Sequence, residues 1–352
     1  MATQTSDPIA DALAKIDGVA AEGDLAPEPV LTPISSTDCG DPIELPDGRR
    51  IYPPRLHGSP IHEVAAALLD MQDPRQSRFL RLIGPPGTGK SQIARAIAYT
   101  LWTGRDREVE ERQGNPFYGF VEMQPGPSSD EFFFRYDYVP VSDGAGGVKL
   151  VDSAFVEAMR HGWVVMIDEA NTARDVALLS INSTIDGRLT IYLPATGETV
   201  TAAPGFAVLL AYNPGLVGAT DLPDAWYSRF PAVVEVRSNW GALLALGVET
   251  HLVNAAADLD GKRIAGESGL LWTPQFREVE SIAHMIDRLD PRTALSFFAS
   301  DLHERLAGGR IQEAEASAAC RMLDAAGYAR YKVPHASRHT PNLFGYPRAV
   351  TG

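Results

Sequence analysis

Cysteine is nearly absent: two in 352 residues, Cys39 and Cys320, far apart and outside any CxxC pattern. That excludes a disulfide framework and fits a reducing cytoplasmic compartment. No run of about 18 apolar residues exists, so no membrane-spanning helix is expected. The first residues, MATQTSDPIADALAKIDG, lack the basic start and apolar run of a secretory signal. Positive charge is also scarce, with 31 Lys and Arg against 45 Asp and Glu, a net charge of −14. Such a field repels nucleic acid, whose sequence-independent binders carry a basic excess. The eight histidines fall in no HExxH or similar ligand spacing, so they are read as surface or core residues rather than metal ligands.

Aromatics are missing before Tyr52, and residues 1–40 hold seven acids, one lysine and four prolines. Such a stretch cannot bury enough apolar surface to offset its ordering entropy, so residues 1–41 are expected to be an acidic flexible tail.

Beyond this tail the chain alternates between strand and helix patterns. IHEVAAALLDM (61–71), SQIARAIAYTLW (91–102), SAFVEAMRHG (153–162) and residues 176–186 have helical spacing. FLRLIG (79–84), FYGFVEMQ (117–124), GWVVMID (162–168) and FAVLLAYN (206–213) read as strands. YVPVSDGAGGVKLV (138–151) and LTIYLPATGETVTA (189–202) read as β-hairpins. Strands alternating with helices predict an α/β fold, a parallel sheet flanked by helices. After Val236 the texture turns Ala- and Leu-rich with helical periodicity, which predicts a small all-α second domain over 237–330. The polar, Pro-containing remainder, 331–352, reads as a C-terminal arm.

The chemistry gathers at the strand ends. GPPGTGKS (Gly84, Pro85, Pro86, Gly87, Thr88, Gly89, Lys90, Ser91) follows the first strand and opens a helix. Its glycines let backbone N–H groups curl around phosphates, at a helix end whose dipole favours anions. Lys90 is suited to the β- and γ-phosphates and Ser91 to Mg²⁺. VVMIDEAN ends a buried strand in two adjacent carboxylates. Asp168 is the expected metal ligand and Glu169 the group that polarises the attacking water. AYNPG sets Asn213 at the next strand end, where an amide can bond both γ-phosphate and water. Arg229, in LPDAWYSRFP, is the candidate that reaches a neighbouring subunit's nucleotide, with Arg174 as its rival. Arg277, in TPQFREV, is the candidate that covers the nucleotide from the second domain.

These motifs together resemble the AAA+ ATPases, and within them the MoxR-like group, which includes activators of Rubisco and nitric oxide reductase and the cobaltochelatase small ATPase subunit. GPPGTGKS corresponds to Walker A, VVMIDEAN to Walker B, AYNPG to sensor 1 and AWYSRF to the arginine-finger box. The resemblance covers about residues 50–300. It implies a P-loop AAA+ core over 42–236 with two hairpin inserts and a helical lid over 237–330. It also implies ATP and Mg²⁺ as cofactors, a homo-hexameric ring, a protein client, and a partner bearing a von Willebrand factor A domain. Two departures stand out: the segment after Walker B reads NTARD, which displaces Arg174, and QFREV fits a sensor 2 pattern only loosely. A nucleic-acid motor shares the hairpin inserts, but these hairpin sequences offer one lysine, Lys149, for phosphates. A metal-chelatase motor differs only in its client. A small-molecule P-loop kinase does not need the Asn213 and Arg229 constellation or the helical second domain.

Overall fold

The computed structural model describes residues 39, 41–44, 50–56, 59–70, 78–102, 119–124, 129–139, 147–214, 222–230, 232–266 and 269–329. Contacts divide the chain into residues 1–33 and 34–352, and every described residue belongs to the second unit. The tail expected over 1–41 lies outside the described residues apart from Cys39 and Asp41, and so does the arm over 331–352.

The first half is built on one sheet. Helix α1 (Ile61–Asp70) precedes strand β1 (Arg78–Ile83), and helix α2 (Lys90–Trp102) follows it. Strand β2 (Phe120–Met123) comes next, then a hairpin of β3 (Phe134–Val139) and β4 (Gly147–Asp152). Helix α3 (Ala154–His161) is started by Ser153, whose Oγ accepts from Val156 N, and is closed by Gly162 at φ 69°. Strand β5 (Val164–Ile167), short helices α4 (Asp175–Leu179) and α5 (Asn182–Ile185), and the hairpin β6 (Thr190–Leu193) and β7 (Glu198–Thr201) follow. Strand β8 (Ala207–Tyr212), helix α6 (Asp224–Arg229) and strand β9 (Ala232–Glu235) complete it. The sheet order is β9-β1-β8-β5-β2, with every pairing parallel. Every residue of β5 and β8 is buried, as expected for strands covered on both faces.

The lid is a separate helical layer: α7 (Trp240–Ala245), α8 (Thr250–Ile264), α9 (Phe276–Arg288), α10 (Pro291–Ala307) and α11 (Glu313–Leu323). Its apolar residues, among them Leu252, Val279, Leu302 and Leu323, form a cluster distinct from the one around the sheet.

Three local expectations need correction. The helix expected over 176–186 is two short ones. Ser180 Oγ turns back to Ala177 O at 2.6 Å, and Ile181 takes φ −101°, ψ 11°, outside the helical well. The first hairpin starts at Phe134, earlier than its apolar run suggested, while its turn, 140–146, lies outside the described residues. The edge strand β9 was not anticipated: half its residues face solvent, so no continuous apolar run announces it.

Candidate active site at the strand ends

Parallel pairing aligns the strand ends. Ile83 of β1 pairs with Tyr212 of β8, and Ile167 of β5 pairs with both Leu210 of β8 and Met123 of β2. One residue past each strand stand Gly84, Asn213, Asp168 and Gln124, so four sequence-distant positions meet at one edge. In open α/β sheets, ligands bind outside these carboxyl ends.

The loop 84–91 wraps ahead of α2. Gly84 has φ 154°, and a Cβ there would lie 2.2 Å from Val236 O, so only glycine fits. Gly87, at φ 82°, lies under the lid, where a Cβ would come within 3.2 Å of Arg277 Cβ. Thr88 Oγ1 donates to Pro85 O at 3.0 Å and tightens the turn.

Lys90 is buried and folds back into this loop. Its Nζ donates to Gly84 O at 2.9 Å, to Pro85 O at 2.8 Å and to Asn213 Oδ1. Burial pushes the ammonium down to about 8; Asp168 and Glu169 oppose that shift, while the charge of Arg277 adds to it. An ammonium so poorly compensated is suited to an incoming polyanion.

Ser91 Oγ donates to Asp168 Oδ2 at 3.4 Å. A hydroxyl and a carboxylate converging at one point form the hard oxygen pair that suits magnesium. Among the described residues no group of three or more His, Cys, Asp or Glu could hold a metal, so any ion here needs ligand or water oxygens as well.

Glu169 sits in the left-handed region at φ 50°, uncommon for a residue with a Cβ. Its Oε2 accepts from Gln124 Nε2 at 2.8 Å. Asn171 donates its amide to Asn213 O at 3.0 Å, tying the segment after β5 to the end of β8. Sequence reasoning passed over both residues. Gln124 is one polar residue after a short strand, with no motif around it, and only the sheet order brings it beside β5.

The arginines part company. Arg277 projects from the start of α9 over Gly87 of the same chain, close enough for its charge to act on Lys90. Arg229 donates to Ala225 O at 2.6 Å. It also lies near Asp186, whose carboxyl is held low chiefly by Arg188 and in smaller part by Arg229. Both of those partners lie outside the loop 84–91. Arg174 is exposed ahead of α4.

Beside the loop is a cleft of about 300 Å³, lined by Tyr52, Gly87, Ile93, Leu246 and Phe276 among others. Asn239 Nδ2 closes its rim by donating to Tyr52 O at 2.9 Å. Its walls combine these apolar residues with Arg50, Gln92 and Glu280 and meet the loop 84–91, an arrangement suited to a nucleoside triphosphate. Sequence reasoning missed this cleft, because its walls come from four separate segments.

Residues 80–230 match the family of AAA domains described as the dynein-related subfamily. This region is an AAA domain. Its presence implies nucleotide binding, and its architecture is that of ATP hydrolases in general. The chain is also similar to uncharacterized proteins of staphylococci. One from Staphylococcus saprophyticus is 28% identical over 163 residues, 45% of this chain and 55% of that protein. One from Staphylococcus epidermidis is 28% identical over 178 residues, 50% of this chain and 60% of that protein. One from Staphylococcus aureus USA300 is 28% identical over 176 residues, with the same shares. The chain thus spans 55% to 60% of the length of these curated relatives. Among the described residues, no helix is long and apolar enough to cross a membrane.

Proposed function

We propose that the chain is a cytoplasmic ATP hydrolase of MoxR type that works as a ring, shares its sites between subunits, and remodels or activates a protein client. The observation that carries this reading is the meeting of Lys90, Ser91, Asp168, Glu169 and Asn213 at adjacent strand ends, with Arg277 above them and Arg229 turned elsewhere.

The base and ribose of ATP would occupy the cleft by Tyr52 and Phe276, and its phosphates the loop 84–91. Lys90 would exchange its bonds to Gly84 O, Pro85 O and Asn213 for bonds to phosphate oxygens. Ser91 and Asp168 would hold magnesium, which when bound neutralises charge on the β- and γ-phosphates. Glu169, released from Gln124, takes the proton of a water as its oxygen attacks the γ-phosphorus. The bond from that phosphorus to the bridging oxygen breaks, and ADP carries the electron pair away. Asn213, released from Lys90, orients the water and the γ-phosphate.

Arg229 of the next subunit would neutralise charge on the transferring phosphoryl group. The hairpins support a protein client over a nucleic acid. Their exposed apolar residues include Tyr136, Val148 and Tyr192. Their arginine, Arg135, lies within ion-pair distance of Asp137 and Glu157, at 3.4 and 3.6 Å. A partner with a von Willebrand factor A domain is the partner class that the MoxR resemblance implies.

The test is the mass distribution of Glu169→Gln with and without Mg-ATP. A shift to about six subunits is expected, in line with trans-acting arginines in this chemistry. A particle that holds ATP and stays monomeric would overturn the ring. Arg229→Ala in the assembled protein should lose on the order of 10³ in ATPase rate; an unchanged rate would remove Arg229 from the site. Stimulation of the ATPase by DNA would favour a nucleic-acid motor instead.

A further inference from the structure

The junction between sheet and lid contains a set of polar side chains that the reaction above does not use. Asp260, Thr273 and Gln275 are 1–2% exposed, and Ser238 is 9% exposed. Buried polar groups survive only when they are bonded, and these bond chiefly to one another.

The amide of Gln275 is engaged on both sides. Its Nε2 donates to Asp260 Oδ1 at 2.9 Å and to Thr273 Oγ1 at 2.9 Å. Its Oε1 accepts from Ser238 Oγ at 3.0 Å, and its side chain also accepts from the backbone of Glu278 in a capping box. Arg263 converges on the same oxygen, Asp260 Oδ1, with Nη2 at 2.8 Å and Nε at 2.9 Å.

Ser238 lies in the segment that joins the two halves, between β9 and α7. It lies just past β9, two residues after Val236, whose N–H bonds Ile83 O at the end of β1. Ser238 Oγ also accepts from Phe276 N at 3.0 Å. That N–H is one of the first donors of α9, which no carbonyl within the helix can satisfy. The start of the lid helix is therefore capped by a residue of the segment that leads out of the sheet. Arg277 is the next residue along, with its Cβ directly over Gly87.

We propose that Ser238 and Gln275 are positioning residues for nucleotide binding, whose hydrogen bonds fix where α9 meets the phosphate loop and so where Arg277 stands. A saturated buried network has few alternative geometries. If the start of α9 moves against Ser238, the bonds to Gln275 and Phe276 break together. This inference rests on the reading of Arg277 as a nucleotide-contacting residue.

The test is a double-mutant cycle on the full chain, in a Glu169→Gln background, reading the affinity for a fluorescent ATP analogue with magnesium. Arg277→Ala should weaken binding about tenfold, the value of one charge-assisted contact. Ser238→Ala should weaken it about threefold, the value of one neutral hydrogen bond. The double variant should bind no more weakly than Arg277→Ala alone, because Ser238 acts through Arg277. Gln275→Met should repeat this pattern if it folds, and Ser238→Ala, which removes one hydroxyl, carries the test if it does not. Losses that simply add would overturn the positioning role while leaving Arg277 in the site. No effect of Ser238→Ala beside a clear effect of Arg277→Ala would overturn it as well. No effect of Arg277→Ala would instead remove the reading of Arg277, and the inference with it.

Discussion

The sheet and the lid hold their functional residues by different means. In the sheet, β5 and β8 are buried at every position, and the polar Asp168 and Asn213 stand one step past their ends. Apolar burial fixes the backbone, and the side chains of Asp168 and Asn213 follow from where the strands stop, while Lys90 follows from where α2 begins. In the lid, the residue aimed at the phosphate loop stands at a helix start held by buried polar bonds among Ser238, Asp260 and Gln275. Apolar packing tolerates small shifts with small losses, whereas a saturated hydrogen-bond network breaks in whole bonds. The sheet therefore holds its residues through many small contacts, and the lid holds its own through a few larger ones.

The largest effect expected from this contrast is in the lid. Asp260→Ala strands Arg263 and leaves Thr273 and Gln275 short of a partner, and should cost about 3–5 kcal/mol of lid stability. Calorimetry should then show the lid melting ahead of the sheet; a single unshifted transition would erase the distinction. Next comes Lys90→Ala, which should weaken ATP binding about 100-fold, near 3 kcal/mol, with little change in melting temperature. A large fall in melting temperature would mean that Lys90 holds the sheet together as well as the phosphates.

A smaller effect is expected at the hairpins. Arg160 joins them, with Nε on Asp152 of β4 at 2.7 Å and its terminal nitrogens on Glu198 of β7 at 2.7 Å. These partners are partly exposed, so Arg160→Ala should cost no more than about 1 kcal/mol in chemical denaturation. A loss of several kcal/mol would place the hairpins within the core's cooperative unit.

The smallest effect concerns acid. His62, on α1, is 5% exposed, and burial lowers its pKa from the ordinary 6.5 against a weaker opposing pull from Glu63. The unfolded chain then takes up a proton near pH 6.5 that the folded chain refuses. Stability should decline as pH falls from about 6.5 to the lower folded value, then level off. His62→Gln should flatten that segment of the curve, and an unaltered slope would assign it to other groups.

The sheet was the more legible half. A glycine-rich loop, an apolar run ending in two acids, and an apolar run ending in Asn-Pro each declare their place locally, because one strand and its end suffice to explain them. Gln124 and Asn171 needed the strand order, and the cleft by Tyr52 needed four segments brought together. The network around Gln275 was hidden for a related reason. In the sequence, Asp260 looks like a helix surface acid and Ser238 like a linker residue, and only their burial changes their meaning. The break at Ser180 and Ile181 was obscured by helical spacing that continues across it.

Gly84 is pressed against the carbonyl of Val236, with no room for even a methyl group between them. Val236 is in turn tethered to Ile83, the residue before Gly84. A drive train with play between its gears loses the first part of every turn, and here there is no play. A displacement of the loop would be handed at once to the chain that leads to Ser238, so this joint is built to run without backlash.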